Sequence, residues 1–128
     1  AISANIKSIK INPNDAEAYS NLGNIYREIG NLHDAELNCR HAIKLKPDFT
    51  EAHNNLGIIL QGLENFNDAK ECFKKSILLN PTFLEARVNL GNLYIEHKCV
   101  DKAIQQYIKT LELNPNFNLA YYSLGDAL

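Results

Sequence analysis

Three asparagines, Asn21, Asn55 and Asn89, stand 34 residues apart, each directly before a Leu-Gly pair. A primary amide both donates and accepts, so it can pair with either backbone group of an extended peptide. A row of such amides at regular spacing would hold main chain with little demand on its sequence. A local structural role is the competing reading of the same residues. Glu17, Glu51 and Glu85 share a second register at the same step. They would set the sign of a binding surface, or simply form a solvated charged face.

Other chemistry is hard to assemble from this chain. No GxSxG, P-loop, HExxH or GxGxxG occurs. His33 sits beside Asp34, and His97 lies two residues before Cys99. Neighbours one or two apart do not share a helix face, so neither pair is preset for metal binding or general-base work. The expectation is no catalytic residue, no metal and no cofactor. Cys39, Cys72 and Cys99 form no CxxC and leave an odd number. Cys39 and Cys72 fall inside helical patterns as small apolar residues, and Cys99 falls in a turn. Unpaired thiols fit a reducing, cytoplasmic setting better than a disulfide framework does.

The elements that carry these residues are written in the same spacing. The four prolines, Pro13, Pro47, Pro81 and Pro115, follow one another at 34 residues. Gly23, Gly57, Gly91 and Gly125 keep that step, as do Leu22, Leu56, Leu90 and Leu124. A fixed period in this range marks a stacked repeat array. Within residues 16–49, Ala18, Leu22, Ile25, Tyr26 and Ile29 recur at three and four, the signature of one helix face. Asn14 and Asp15 supply N-cap chemistry in front of that helix and Gly30 supplies its stop. A second helix is expected from about Asn31, with Asp34 in its first turn and Pro47 ending it. Glycine in a helix interior costs ~1 kcal/mol against alanine. Four glycines in register therefore point to close helix packing.

Composition excludes several partners. The 128 residues carry a net charge of −2, with 45% apolar and 22% charged side chains. Without a basic surplus, nucleic acid and anionic lipid are not expected as partners. No apolar run approaches the ~18 residues a membrane span needs. The chain lacks Met and opens in mid-pattern, so it is expected to be a piece of a longer protein.

The unit resembles the tetratricopeptide repeat. The family's signature reads Tyr19, Leu22, Gly23, Tyr26, Ala35, Cys39, Ala42 and Pro47 in residues 16–49. Residues 50–83 give His53, Leu56, Gly57, Leu60, Ala69, Phe73, Ser76 and Pro81, and residues 84–117 give Arg87, Leu90, Gly91, Tyr94, Ala103, Tyr107, Thr110 and Pro115. Residues 1–15 match only the second helix of an earlier unit, and residues 118–128 only the first helix of a later one. The pattern departs from the family at Arg87, whose stem should cover the core while its head reaches water. His53, in an aromatic core position, is expected as a packed imidazole. Ser76 and Thr110 should loosen packing slightly. Cys99 and Lys102 should leave the third unit's second helix poorly started.

The resemblance implies an all-α fold, a right-handed α-α superhelix whose first helices line the concave side. Carried over, the peptide-binding groove would be formed by Asn21, Asn24 and Arg27, by Asn54, Asn55 and Ile58, and by Asn89 and Asn92. This is similar to the asparagine ladder of the arrays attached to O-linked N-acetylglucosamine transferases. The carboxylate clamp of chaperone-binding relatives is absent, because its cationic positions hold Ser20, Glu85 and Asn89. The mildly acidic groove would favour neutral or basic peptides. The expected role is a protein-interaction scaffold, non-enzymatic in itself, holding an extended partner segment. The alternatives are a substrate-presenting region of a multidomain enzyme, such as a glycosyltransferase, and an assembly scaffold using the convex face and ends. For the last, Ile2, Ile6 and Ile9 at one end and Leu119, Leu124 and Leu128 at the other should be exposed and able to stack head to tail.

Overall fold

A computed structural model describes residues 2–128; of the segment 1–15, Ala1 lies outside the described residues. Eight helices and no strand occur among the described residues. They are α1 (Ile2–Ile11), α2 (Ala16–Glu28), α3 (Leu32–Leu45), α4 (Thr50–Gly62), α5 (Phe66–Leu79), α6 (Leu84–Glu96), α7 (Val100–Leu113) and α8 (Asn118–Ala127). Each of α2, α4 and α6 packs most extensively on the helix that follows it, giving three antiparallel hairpins stacked in a row. This is an all-α helical solenoid.

The turn inside each hairpin is built the same way. The amide of Asn31 donates to the Tyr26 carbonyl at 2.8 Å, and the amide of Gly30 donates to Arg27 at 3.1 Å. That pair of bonds is a Schellman cap, which requires a left-handed residue just past the helix end. Gly30 fills the position with φ of +86°. In the next two hairpins the same place is held by Glu64 (φ +63°) and Lys98 (φ +60°). Residues with a Cβ are held there by the bonds on either side, Asn65 to Leu60 and Cys99 to Tyr94, both 2.8 Å.

Helix starts differ more than helix ends. Asp15 accepts from the Ala18 amide at 3.2 Å and caps α2, and Asn31 accepts from the Asp34 amide at 3.4 Å at the head of α3. Neither Asn65 at α5 nor Cys99 at α7 makes a side-chain cap, so in capping the third unit's second helix starts no more poorly than the second's. The Lys102 ammonium sits 5.8 Å over the Tyr94 ring, a cation–π contact that turns its charge toward α6.

Close packing rests on the glycines. A Cβ on Gly23 would fall on the Cys39 sulfur. One on Gly57 would lie 2.6 Å from the Phe73 ring, and one on Gly91 would lie 2.5 Å from the Tyr107 ring. Gly125 differs, with nothing within 4 Å of the same position.

Several expectations change. Ser76 and Thr110 do not loosen the interior. Both are fully buried, and their hydroxyls donate to the Thr50 carbonyl at 3.0 Å and the Gln106 carbonyl at 2.9 Å. A buried hydroxyl that finds a carbonyl avoids the desolvation cost of an unmade bond. The half-buried Arg87 side chain also meets a neighbouring helix. Its Nη1 approaches Gln106 on α7 at 3.5 Å, and its Nε is buried without a hydrogen-bond partner among the described residues. His53 is half-buried, with its Nε2 on the Pro47 carbonyl at 2.8 Å. Leu124 is half-buried against the core, whereas Leu119 and Leu128 are exposed.

Candidate functional site

Curvature follows from which helices touch. The first helices form a continuous row, α2 against α4, α4 against α6 and α6 against α8. Among the described residues no two second helices bring their backbones as close, with no Cα pair within 8 Å. The row in which neighbours meet is the inner side of the curve. The side chains that face along it come from α2, α4, α6 and α8.

Adjacent first helices are tied by pairs 35 residues apart, one repeat plus one position. Asn89 Nδ2 donates to Asn54 Oδ1 at 3.0 Å, and Gln61 Nε2 donates to Glu96 Oε1 at 2.8 Å. These two ties lie seven residues apart on α4, about two helical turns, so they pin α4 to α6 along its length.

The ties correct one expected site residue. Asn54 does not line an open groove: it is only 3% exposed, and its carbonyl oxygen is held by Asn89. Ser20 and Val88, one repeat away on either side, are buried as well. The position before each ladder asparagine points at the neighbouring first helix, so it packs rather than receives a ligand.

The remaining predicted residues spread along the inner row. Asn21 is exposed and Asn55 half-buried, and among the described residues their amides form no hydrogen bond. Asn89 is half-buried, with its amide nitrogen committed to Asn54. Asn24 accepts from Arg27 Nη2, and the Arg27 Nε is buried without a hydrogen-bond partner among the described residues, so this cation is folded against its own helix. Ile58 packs half-buried against the core. Asn92 is exposed and accepts the Tyr107 hydroxyl at 2.7 Å.

Charge along the row is lopsided. Glu17, Glu28, Glu51, Glu85, Glu96 and Asp126 are all exposed, while the arginines of these helices, Arg27 and Arg87, turn to Asn24 and Gln106. Gln61 and Glu96 were expected on the inner face and are found paired with each other, whereas Tyr107 and Ser123 were missed as possible contacts. Only Tyr107 left a sequence signal, a hydroxyl in a position that Cys39 and Phe73 fill without a comparable polar group.

The thiols sit apart from this surface. Burial pushes Cys39 up to about 12, with nearby Arg27 pulling the other way, and pushes Cys72 up to about 11. Among the described residues no three of His, Cys, Asp and Glu gather as a metal site would need. The His97 ring stacks on Phe66 with centroids 3.8 Å apart. Among the described residues, no helix is long and apolar enough to cross a membrane.

Comparison with known proteins agrees with this geometry. Family models of the tetratricopeptide repeat match residues 50–83 and, with a second model, residues 6–36 and 72–105. The chain belongs to the tetratricopeptide repeat family. Its repeats superpose on a crystal structure of MamA with a TM-score of 0.86 and 32% identity, covering 98% of this chain and 74% of that one. An O-GlcNAc transferase from Thermobaculum terrenum matches with a TM-score of 0.81 and 25% identity, over 88% of this chain but only 22% of the transferase. The first tetratricopeptide domain of Spaghetti (RPAP3), bound to the HSP90 peptide SRMEEVD, matches at 0.82 with 21% identity, over 88% of this chain and 89% of that one. At that identity the likeness is one of fold. Tetratricopeptide repeats of this kind serve as protein-interaction scaffolds.

Proposed function

We propose that the inner row of first helices holds an extended segment of a partner protein, with residues 16–49, 50–83 and 84–117 as the working units. The observation that carries this reading is the register of Asn21, Asn55 and Asn89 along one face, with the amides of Asn21 and Asn55 uncommitted. An amide without a partner on a surface lined by others of its kind is ready to pair with peptide backbone. The chain itself acts by binding, and the three free thiols fit a reducing, cytoplasmic compartment.

The test uses a displayed library of random decapeptides selected on this protein. Because Asn89 also ties α6 to α4, the clean variant is Asn21→Ala with Asn55→Ala, which removes the free amides and leaves the tie intact. Each lost hydrogen bond is worth ~0.5–1.5 kcal/mol, so selected peptides should bind the variant about tenfold more weakly or worse. Unchanged affinity would rule out the ladder.

The match to an O-GlcNAc transferase favours a second, compatible reading, in which the repeats present substrate to a catalytic domain elsewhere in a longer protein. Peptides selected by the groove would then be substrates of that domain.

A further inference from the structure

A cavity of about 150 Å³ opens between α6 and α8, lined by Asn92, Ile95, Tyr107, Ser123, Asp126 and Ala127. Tyr107 belongs to α7, on the outer layer, yet its ring passes between the inner helices beside Gly91. The residue is 1% exposed, and its hydroxyl ends in the cavity, where it donates to Asn92 Oδ1 at 2.7 Å. Ser123 lines the same cavity from α8. In the two preceding hairpins this register holds Cys39 and Phe73, so neither can offer a phenolic hydroxyl to the inner face.

The wall is rich in acceptors. The phenol oxygen, the second lone pair of Asn92 Oδ1 and the Asp126 carboxylate all accept, and no lining side chain is basic. The surroundings have the same sign. Glu51, Glu85 and Glu96 are exposed on α4 and α6. Arg87 turns away to Gln106, and the only other first-helix arginine, Arg27, lies on α2 beside Asn24. An ammonium or guanidinium group entering here meets one carboxylate and two neutral acceptors. A carboxylate entering would meet Asp126 instead.

We propose that this cavity is a side-chain subsite that takes a lysine or arginine of the bound segment, making the partner a basic peptide. The inference rests on the groove reading above. The ladder supplies main-chain contacts that are blind to sequence, and the cavity between α6 and α8 supplies selectivity at one position.

The test is the same random decapeptide selection on three proteins: the wild type, Asp126→Asn and Tyr107→Phe. Asp126 is exposed, and Phe73 already occupies the register of Tyr107, so both variants should fold, as circular dichroism would verify. Peptides recovered by the wild type should be enriched about threefold in lysine plus arginine, the factor an exposed ion pair supplies. Asp126→Asn should abolish the enrichment and Tyr107→Phe should reduce it, with the number of recovered peptides unchanged. Absence of enrichment, or enrichment that persists in both variants, would overturn the subsite while leaving the groove standing. Failure to recover any peptide would overturn the groove and the subsite together.

Discussion

Replacing glycine by alanine should have opposite effects at two places that share one register. At Gly57 the new methyl would lie 2.6, 2.7 and 2.9 Å from three carbons of the Phe73 ring. Non-bonded carbons prefer ~3.5–4.0 Å, so the ring must retreat by about 1 Å. Phe73 is 0% exposed and packed within the core cluster. Overpacking of this kind costs ~1–3 kcal/mol, while alanine recovers ~1 kcal/mol of helix propensity. The net is a loss of about 1 kcal/mol, rising to about 2 if the backbone of α4 must move off α5. At Gly125 nothing lies within 4 Å, so only the propensity gain remains. It is reduced to about 0.5 kcal/mol because α8 ends at Ala127 and its last turn frays. Urea titration followed by circular dichroism gives the sign of each change. Hydrogen exchange locates it, since Gly57→Ala should weaken amides of α4 and α5 first. Adding Phe73→Leu to Gly57→Ala should recover part of the loss as a favourable coupling. Equal shifts of one sign at Gly57 and Gly125, or no coupling with Phe73, would refute the packing account.

Three further perturbations follow from the same structure. An L-residue in the left-handed region costs ~1–2 kcal/mol, and glycine there gives back ~0.5–1 kcal/mol through the unfolded chain. Glu64→Gly and Lys98→Gly should therefore each stabilise by about 0.5–1 kcal/mol, and Gly30→Ala should destabilise by about 1, read as melting-temperature shifts. Iodoacetamide followed by mass spectrometry should label Cys99 first at pH 8, then Cys72 and last Cys39. Cys72, raised to about 11, should label about tenfold faster per pH unit from pH 8 to 10 as its thiolate grows. Both thiols are raised in the folded state from an ordinary value of 9.0, so their contribution is complete below pH 9. It should fade as pH climbs through 11 and 12, because the unfolded chain ionises first. Labelling of Cys39 as fast as Cys99 would contradict its burial.

The spacing of Pro13, Pro47, Pro81 and Pro115, read together with the glycines, leucines and other signature residues that keep the same step, was enough to determine the period, the paired helices and the family, because stacked repeats must place the same contact at the same step. The same register told that Gly23, Gly57 and Gly91 face a partner helix, and that Asn21, Asn55 and Asn89 share a face. It could not tell what lies one position away. Asn54 reads as another polar groove residue until the 35-residue offset between first helices turns its amide onto Asn89. That offset comes from how neighbouring hairpins rotate when they pack, a long-range property no single repeat encodes. For the same reason Tyr107 reads as core in the sequence, and only the passage of its ring between α6 and α8 brings the hydroxyl to Asn92. Ser76 was misjudged for the same reason: the carbonyl that receives it, that of Thr50, lies 26 residues away along the chain. Periodicity fixes which face a residue occupies, and packing decides whether that face is open to a partner or closed by the next helix.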